Sequence, residues 1–172
     1  MDVYDAIFGR KSIRSFNQER DISQELVGRI LEAACQAPSA GNVQPWVFVV
    51  VRDAGLKSRL AVAARGQSFV RDAPVVIAVC ADLRTASGSY GARGTQLYAI
   101  QDTAAATENL LLAAWAEGLG SCWVGAFEEE MAARTLDLPS HIRPVALIPL
   151  GYPLKDRNKP SKKAVSEVTR FM

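Results

Sequence analysis

Apolar positions recur along this chain with two different periods. Behind Asp2, which can cap a helix, Val3, Ala6 and Ile7 share a helical face, and Gly9 lies near its end. A second helix is predicted over residues 23–37, where Leu26, Val27, Ile30, Leu31 and Ala34 recur at helical spacing and Pro38 stops the run. The run WVFVVVR, residues 46–52, is short and rich in β-branched side chains, which predicts a strand buried on both faces. A short amphipathic helix follows over residues 56–65, and APVVIAVCAD, residues 73–82, reads as a second buried strand.

The second half starts with RTASGSYGARGT, residues 84–95, whose Gly and Ser content predicts a mobile surface loop. The helix expected over residues 103–117 is apolar nearly all round, with Asp102 placed as its N-cap. Such a helix belongs at the centre of a core or in an interface. Gly118 and Gly120 end it, and SCWVGAF predicts a third strand. A short helix over residues 128–136 has an acidic first turn, Glu128-Glu129-Glu130, which suits its dipole. RPVALIPLGYP is the fourth strand, and its Pro144 and Pro149 argue for a strand end or an edge. Helices and strands interleave, so the class is mixed α and β.

Composition narrows this picture. A chain of 172 residues, 49% hydrophobic and 22% charged, fits one globular domain and excludes disorder, collagen and coiled coil. A net charge of +2 is too balanced to announce a nucleic-acid binder. Asp2 and Asp5 stand where a signal peptide wants positive charge, and no apolar run approaches the ~18 residues of a membrane span. A cytoplasmic protein with no membrane and no nucleic-acid partner is therefore expected. Cys35, Cys80 and Cys122 are far apart and form no CxxC pair, so they read as small buried hydrophobes in a reducing compartment. His141, the single histidine, reads as a surface loop residue. Most metal sites and catalytic triads are thereby excluded, and Cys122 reads as packing because no His–Asp arrangement activates it.

Four clusters remain that can carry chemistry. Arg10, Lys11, Ser12 and Arg14 put three cations and a hydroxyl just past a helix end. Guanidinium groups bind phosphate through paired hydrogen bonds, but the cluster also reads as a solvated basic turn. Residues 37–46, APSAGNVQPW, supply Ser, Asn and Gln beside a Gly that lets the backbone approach a flat ligand. They are also ordinary turn residues. Residues 118–127, GLGSCWVGAF, end in Gly125-Ala126 with no bulky side chain, and lack the full dinucleotide fingerprint. After Gly151 six basic residues (Lys155, Arg157, Lys159, Lys162, Lys163 and Arg170) face two acidic ones, so this stretch should wrap over its own surface or a partner's. The pair Lys162-Lys163 reads as a solvated tail or as ligand-binding.

The order of these motifs is more specific than any one of them. A helix with RKSIR, a helix ending in APSAGNVQPW, an AP-strand, a long apolar helix, GLGSCWVGAF, PVALIPLGYP and a basic tail together resemble the nitroreductase family of FMN-dependent enzymes. The resemblance covers essentially the whole chain. It implies an α+β fold around a central mixed sheet, with residues 1–154 as the FMN-binding domain. Residues 155–172 would be a basic extension of the same fold that reaches onto the partner subunit. The working unit would be a homodimer with FMN at its interface. By the resemblance, Arg10, Ser12 and Arg14 hold the phosphate and ribityl chain, with Lys11 where many members have Arg. Pro38, Ser39 and Asn42 contact the flavin of the partner's site. Gly125 and Ala126 lie along the isoalloxazine ring, Gln67 faces its polar edge, and Lys162 or Lys163 reaches the phosphate. The implied activity is ping-pong hydride transfer from NADH or NADPH through flavin N5 to a small-molecule electron acceptor such as a nitroaromatic or quinone. Reductive dehalogenation, enal reduction or flavin binding without turnover are the alternatives.

Overall fold

The structure is a computed structural model that describes residues 1–155 and 158–172; Arg157 of the basic tail lies outside the described residues. In chain order the helices are α1 (Val3–Gly9), α2 (Gln24–Cys35), α3 (Ala54–Ala63), α4 (Ser68–Asp72), α5 (Leu83–Arg93), α6 (Ala99–Ala116), α7 (Glu129–Thr135) and α8 (Val165–Val168). The strands are β1 (Trp46–Val51), β2 (Val75–Asp82), β3 (Gly120–Ser121) and β4 (Ile142–Gly151), in the spatial order β1-β2-β4-β3.

Strand β2 shows why helices cover both faces. Val75, Ile77 and Val79 point into a layer with Ile30 of α2 and Leu110 of α6. Val76, Ala78 and Cys80 point the other way, into a layer with Leu60 of α3 and Ala132 of α7. The period of two along a strand thus produces two cores from one run of apolar residues.

Several expectations are corrected. All three strand pairings are antiparallel; the described parallel contact is an isolated bridge between Ser12 and Ser121, so the sheet is not mixed in the expected sense. Strand β1 is not buried on both faces: it pairs with β2 alone, and Trp46–Val49 are half-buried with Val50 exposed. Strand β4, conversely, is interior despite its prolines. Pro144 sits where the β2–β4 register shifts at Val79/Cys80, a bulge that needs no ladder donor. Leu147 and Val124 exchange both backbone hydrogen bonds, at 2.9 and 3.0 Å. Two residues on, Pro149 turns its missing N–H to the same side, and the pairing beside it is reduced to the two residues of β3. The strand expected over SCWVGAF is therefore short, resuming as a single bridge at Val124.

The Gly/Ser-rich stretch is a helix rather than a loop. The Asp82 carboxylate starts α5 by accepting from the Arg84 and Thr85 N–H groups at 2.9 and 3.1 Å. The helix kinks at Gly91 (φ 53°) and continues through a π-helical turn, Gly94–Tyr98, straight into α6. Asp102 consequently lies inside a helix and is not its N-cap. Cys35, the last residue of α2, is exposed, whereas Cys80 and Cys122 are buried. On α1 the capping is as expected: Asp2 accepts from the Asp5 N–H at 2.8 Å and Asp5 from the Asp2 N–H at 3.2 Å. Of the expected apolar face, Ala6 is buried while Val3 and Ile7 are exposed. No helix among the described residues is long and apolar enough to cross a membrane.

Candidate functional site

The RKSIR segment is fixed by the apolar residue in its middle. Ile13 is buried, and its N–H donates to the Ser121 carbonyl at 2.8 Å. In extended backbone, neighbours of an inward residue turn outward. Ser12 is thus half-buried and Arg14 exposed. The chain then runs alongside the start of the tail: Asn17 N–H donates to the Tyr152 carbonyl at 2.9 Å, and Leu154 N–H to the Ser15 carbonyl at 3.0 Å. From there the tail returns to the end of α1. Lys159 Nζ donates to the carbonyls of Ile7 and Phe8 at 3.2 and 2.6 Å. These are last-turn carbonyls of a helix with no basic residue in its own last turn, so the ammonium acts as its cap.

This arrangement encloses a cavity of about 270 Å³ lined by Arg10, Lys11, Ser12, Arg14, Asn158, Lys159, Pro160 and Lys162. Five of those are cations and none is a carboxylate. Outside the lining, Glu108 approaches Arg10 Nε at 3.7 Å. The Lys11 ammonium lies 5.9 Å from the Trp115 ring centre and the Arg14 guanidinium 5.9 Å from that of Phe69. Behind the pocket, burial pushes the Cys122 thiol up, opposed by Arg14 and Ser12. The cavity suits a multiply charged anion such as a phosphate monoester.

The predicted residues fall into three groups. Arg10, Lys11, Ser12, Arg14 and Lys162 share the cationic cavity; Lys163 is exposed and absent from its lining. Gln67 lies beside the Gly125-Ala126 segment, with Nε2 donating to the carbonyls of Ala64 and Ala126 at 3.0 and 3.3 Å. Gly125 and Ala126 are exposed, four and five residues past the Ser12–Ser121 bridge. Pro38 and Ser39 line a different cleft with Ala40, Tyr98, Gln101, Asp102 and Ala105, and Asn42 sits in the adjoining turn. Within one chain these residues do not join the cationic cavity.

Three placements are not legible in the sequence. Nothing in the sequence surroundings of Lys159 says that it folds back onto α1. Asp102 acts as a cap, but on a segment distant from its own helix. Its Oδ1 accepts from the Ala40 N–H at 3.1 Å, and burial raises its pKa. Tyr90, in the supposed loop, places its hydroxyl where a Cβ on Gly41 would stand.

Comparison with known proteins decides the family. The Nitroreductase family profile matches residues 7–69 and 61–152. This chain belongs to the nitroreductase family. A protein named NADH dehydrogenase from Thermus thermophilus is 38% identical over 183 aligned residues, covering 91% of this chain and 89% of the relative. A nitroreductase family protein from Clostridium novyi has a crystal structure that superposes with a TM-score of 0.80 at 35% identity, covering 89% of this chain and 86% of that one. A protein from Exiguobacterium sibiricum, solved in complex with FMN, shares the fold at a TM-score of 0.92 and 23% identity over 100% of this chain and 98% of its own. The chain is thus a nitroreductase-family oxidoreductase with an α+β fold.

Proposed function

We propose that this chain is an FMN-dependent NAD(P)H oxidoreductase that works as a homodimer on small-molecule acceptors, nitroaromatics and quinones among them. The observation that carries the reading is the carboxylate-free cavity lined by Arg10, Lys11, Ser12, Arg14, Lys159 and Lys162. A flavin mononucleotide ends in a phosphate dianion, and this is the one described cavity with several cations and no acid to match it. Its FMN-bearing structural neighbour supports the same cofactor.

Each residue then has a task. Arg10 and Arg14 donate paired hydrogen bonds to phosphate oxygens, Ser12 adds a hydroxyl, and Lys162 supplies a point charge. Lys159 holds the tail across the end of α1 and so closes the cavity wall. Gln67 would face the polar edge of the ring, and Gly125 and Ala126, which carry no bulky side chain, would lie along it. Pro38, Ser39 and Asn42, which lie outside the cationic cavity, serve the partner subunit's flavin. A bound FMN would supply the redox chemistry, hydride transfer from NADH or NADPH and electron transfer to an acceptor. No side-chain general base is required.

The test is spectroscopic. Purified protein, or apoprotein given FMN, should carry a flavin band near ~450 nm that bleaches anaerobically with NADH or NADPH. Protein that takes up no FMN sinks the reading. FMN bound without bleaching reduces it to a flavin-binding protein.

A further inference from the structure

Asp102 is a buried carboxylate in the interior of α6, and the flavin chemistry gives it no task. Its surroundings do. The turn Ala40–Asn42 starts after Ser39, which in an ordinary helical start would cap it. Ser39 does not: its hydroxyl accepts instead from the Gln44 N–H at 3.0 Å. The first N–H of the turn, that of Ala40, is taken by Asp102 Oδ1 at 3.1 Å. The cap is supplied from a separate helix, 62 residues away in sequence.

The turn needs such a hold. Gly41, Asn42 and Gln44 have φ of 55°, 57° and 54°, in the left-handed region. Two of them, Asn42 and Gln44, carry side chains, and Gln in particular seldom adopts this backbone. Backbone of this kind persists where neighbours over-determine it. Asp102 grips its start, Ser39 ties its start to its end, and the Tyr90 hydroxyl lies against Gly41. A buried carboxylate is itself costly, so the helix carries an acid where an apolar residue would pack more cheaply.

We propose that Asp102 is a positioning residue: by accepting the Ala40 N–H it fixes the left-handed turn that presents Pro38, Ser39 and Asn42 to a flavin. The proposal rests on the cofactor reading above. Accepting is the essential property, and charge is not. Asp102→Asn keeps an oxygen at the same place, whereas Asp102→Leu and Asp102→Ala remove it.

The experiment pairs two readouts. Amide hydrogen exchange on the apoprotein should show Ala40 protected in the wild type and in Asp102→Asn, and exchanging at least tenfold faster in Asp102→Leu or Asp102→Ala. FMN titration should give the same division, with Asp102→Asn within about threefold of wild type and the other two at least tenfold weaker. Unchanged Ala40 exchange in the variants lacking the oxygen overturns the tether. Altered exchange with unchanged FMN affinity overturns its role in presenting the turn. Asp102→Asn as weak as Asp102→Leu overturns the acceptor argument. A wild type that takes up no FMN fails the cofactor reading instead, and the exchange result still judges the tether. If Asp102→Leu does not fold, Asp102→Ala and the Asp102→Asn rescue carry the comparison.

Discussion

Gly120 packs so closely on Ile13 that a Cβ built on it would stand 2.7 Å from the Ile13 Cβ. The contact joins two motifs that lie more than a hundred residues apart in sequence. Ile13 is seated in the core with its N–H on the Ser121 carbonyl, and Ser12 and Arg14 are aimed by that seating. Gly120→Ala must therefore push the RKSIR segment outward or strain the core. The expected loss is about 1–3 kcal/mol, a fall in Tm of roughly 2–4 °C per kcal/mol for a chain of this size. FMN retention should fall with it. Gly28→Ala is the control, because a Cβ there meets nothing within 4 Å. Equal melting of Gly120→Ala and wild type would show that the segment is not held by this contact.

The cations should separate by position. Arg10→Ala removes a guanidinium from the cavity and should weaken FMN binding by about 1.5–3 kcal/mol, the scale of a charged hydrogen bond. Lys159→Ala also frees the tail from the carbonyls of Ile7 and Phe8, so it should weaken FMN and expose the tail to protease together. Lys163→Ala lies outside the lining and should change FMN affinity little. Titration of the three variants at fixed salt decides; a Lys163 effect as large as that of Lys159 would reverse the assignment.

What could be read from the sequence follows the range of the forces involved. The cap at Asp2 and the apolar periods of α2 and β2 are local, so they were legible. The cationic cluster was legible as chemistry, because Arg10, Ser12 and Arg14 are neighbours in the chain. The α5 correction is local, since Asp82 caps a helix that its Gly and Ser content disguises, but the others involve distant partners. Nothing local tells Asp102 that a π-helical turn will join α5 to α6 and free its carboxylate for Ala40. Nothing local places Pro149 beside a two-residue strand, or turns Cys35 outward at the end of α2.

The thiols give a simple check on that packing. Cys80 lies at the centre of the sheet, and burial pushes its pKa up to about 12. Burial also raises Cys122. Cys35 is exposed. A thiol reagent at about pH 8 should label Cys35 in the native protein and reach the other two after denaturation. Mass spectrometry of the native sample should show one adduct; rapid labelling of Cys80 would mean that the sheet is open.

An apolar surface is left uncovered by this chain alone. Tyr4 and Phe8 of α1 are exposed and stack at 6.2 Å, and Val165, Val168 and Phe171 of the tail are exposed as well. The four-residue α8 has no buried residue and is held locally by its own cap, with the Ala164 N–H donating to Glu167 Oε2 at 2.6 Å. Exposed apolar side chains of this size are the kind that a partner surface covers. The proposed homodimer should therefore weaken in Phe8→Asp and in Phe171→Asp, read as mass by sedimentation at several concentrations. FMN affinity should fall in parallel if Pro38, Ser39 and Asn42 serve the partner's site. Wild-type protein sedimenting as a monomer would remove the dimer and the shared site together.

The acid side of the stability profile can be assigned in part to one ion pair. Arg143 donates two hydrogen bonds to Glu129, both at 2.8 Å, joining β4 to the first turn of α7. Those bonds, and then the charge of Arg143, hold the Glu129 carboxyl below the usual glutamate range. A folded pKa below the unfolded one means stabilisation that is present above the unfolded value of about 4.3 and lost as pH falls through the folded value. Both side chains are roughly half exposed, so solvent limits the pair to about 0.5–1 kcal/mol. Glu129→Gln should then lower Tm by about 1–4 °C at neutral pH and by almost nothing near pH 3. Melting curves of the two proteins across that range test it, and a difference that persists undiminished at the acid end would place the stabilisation in packing rather than in charge.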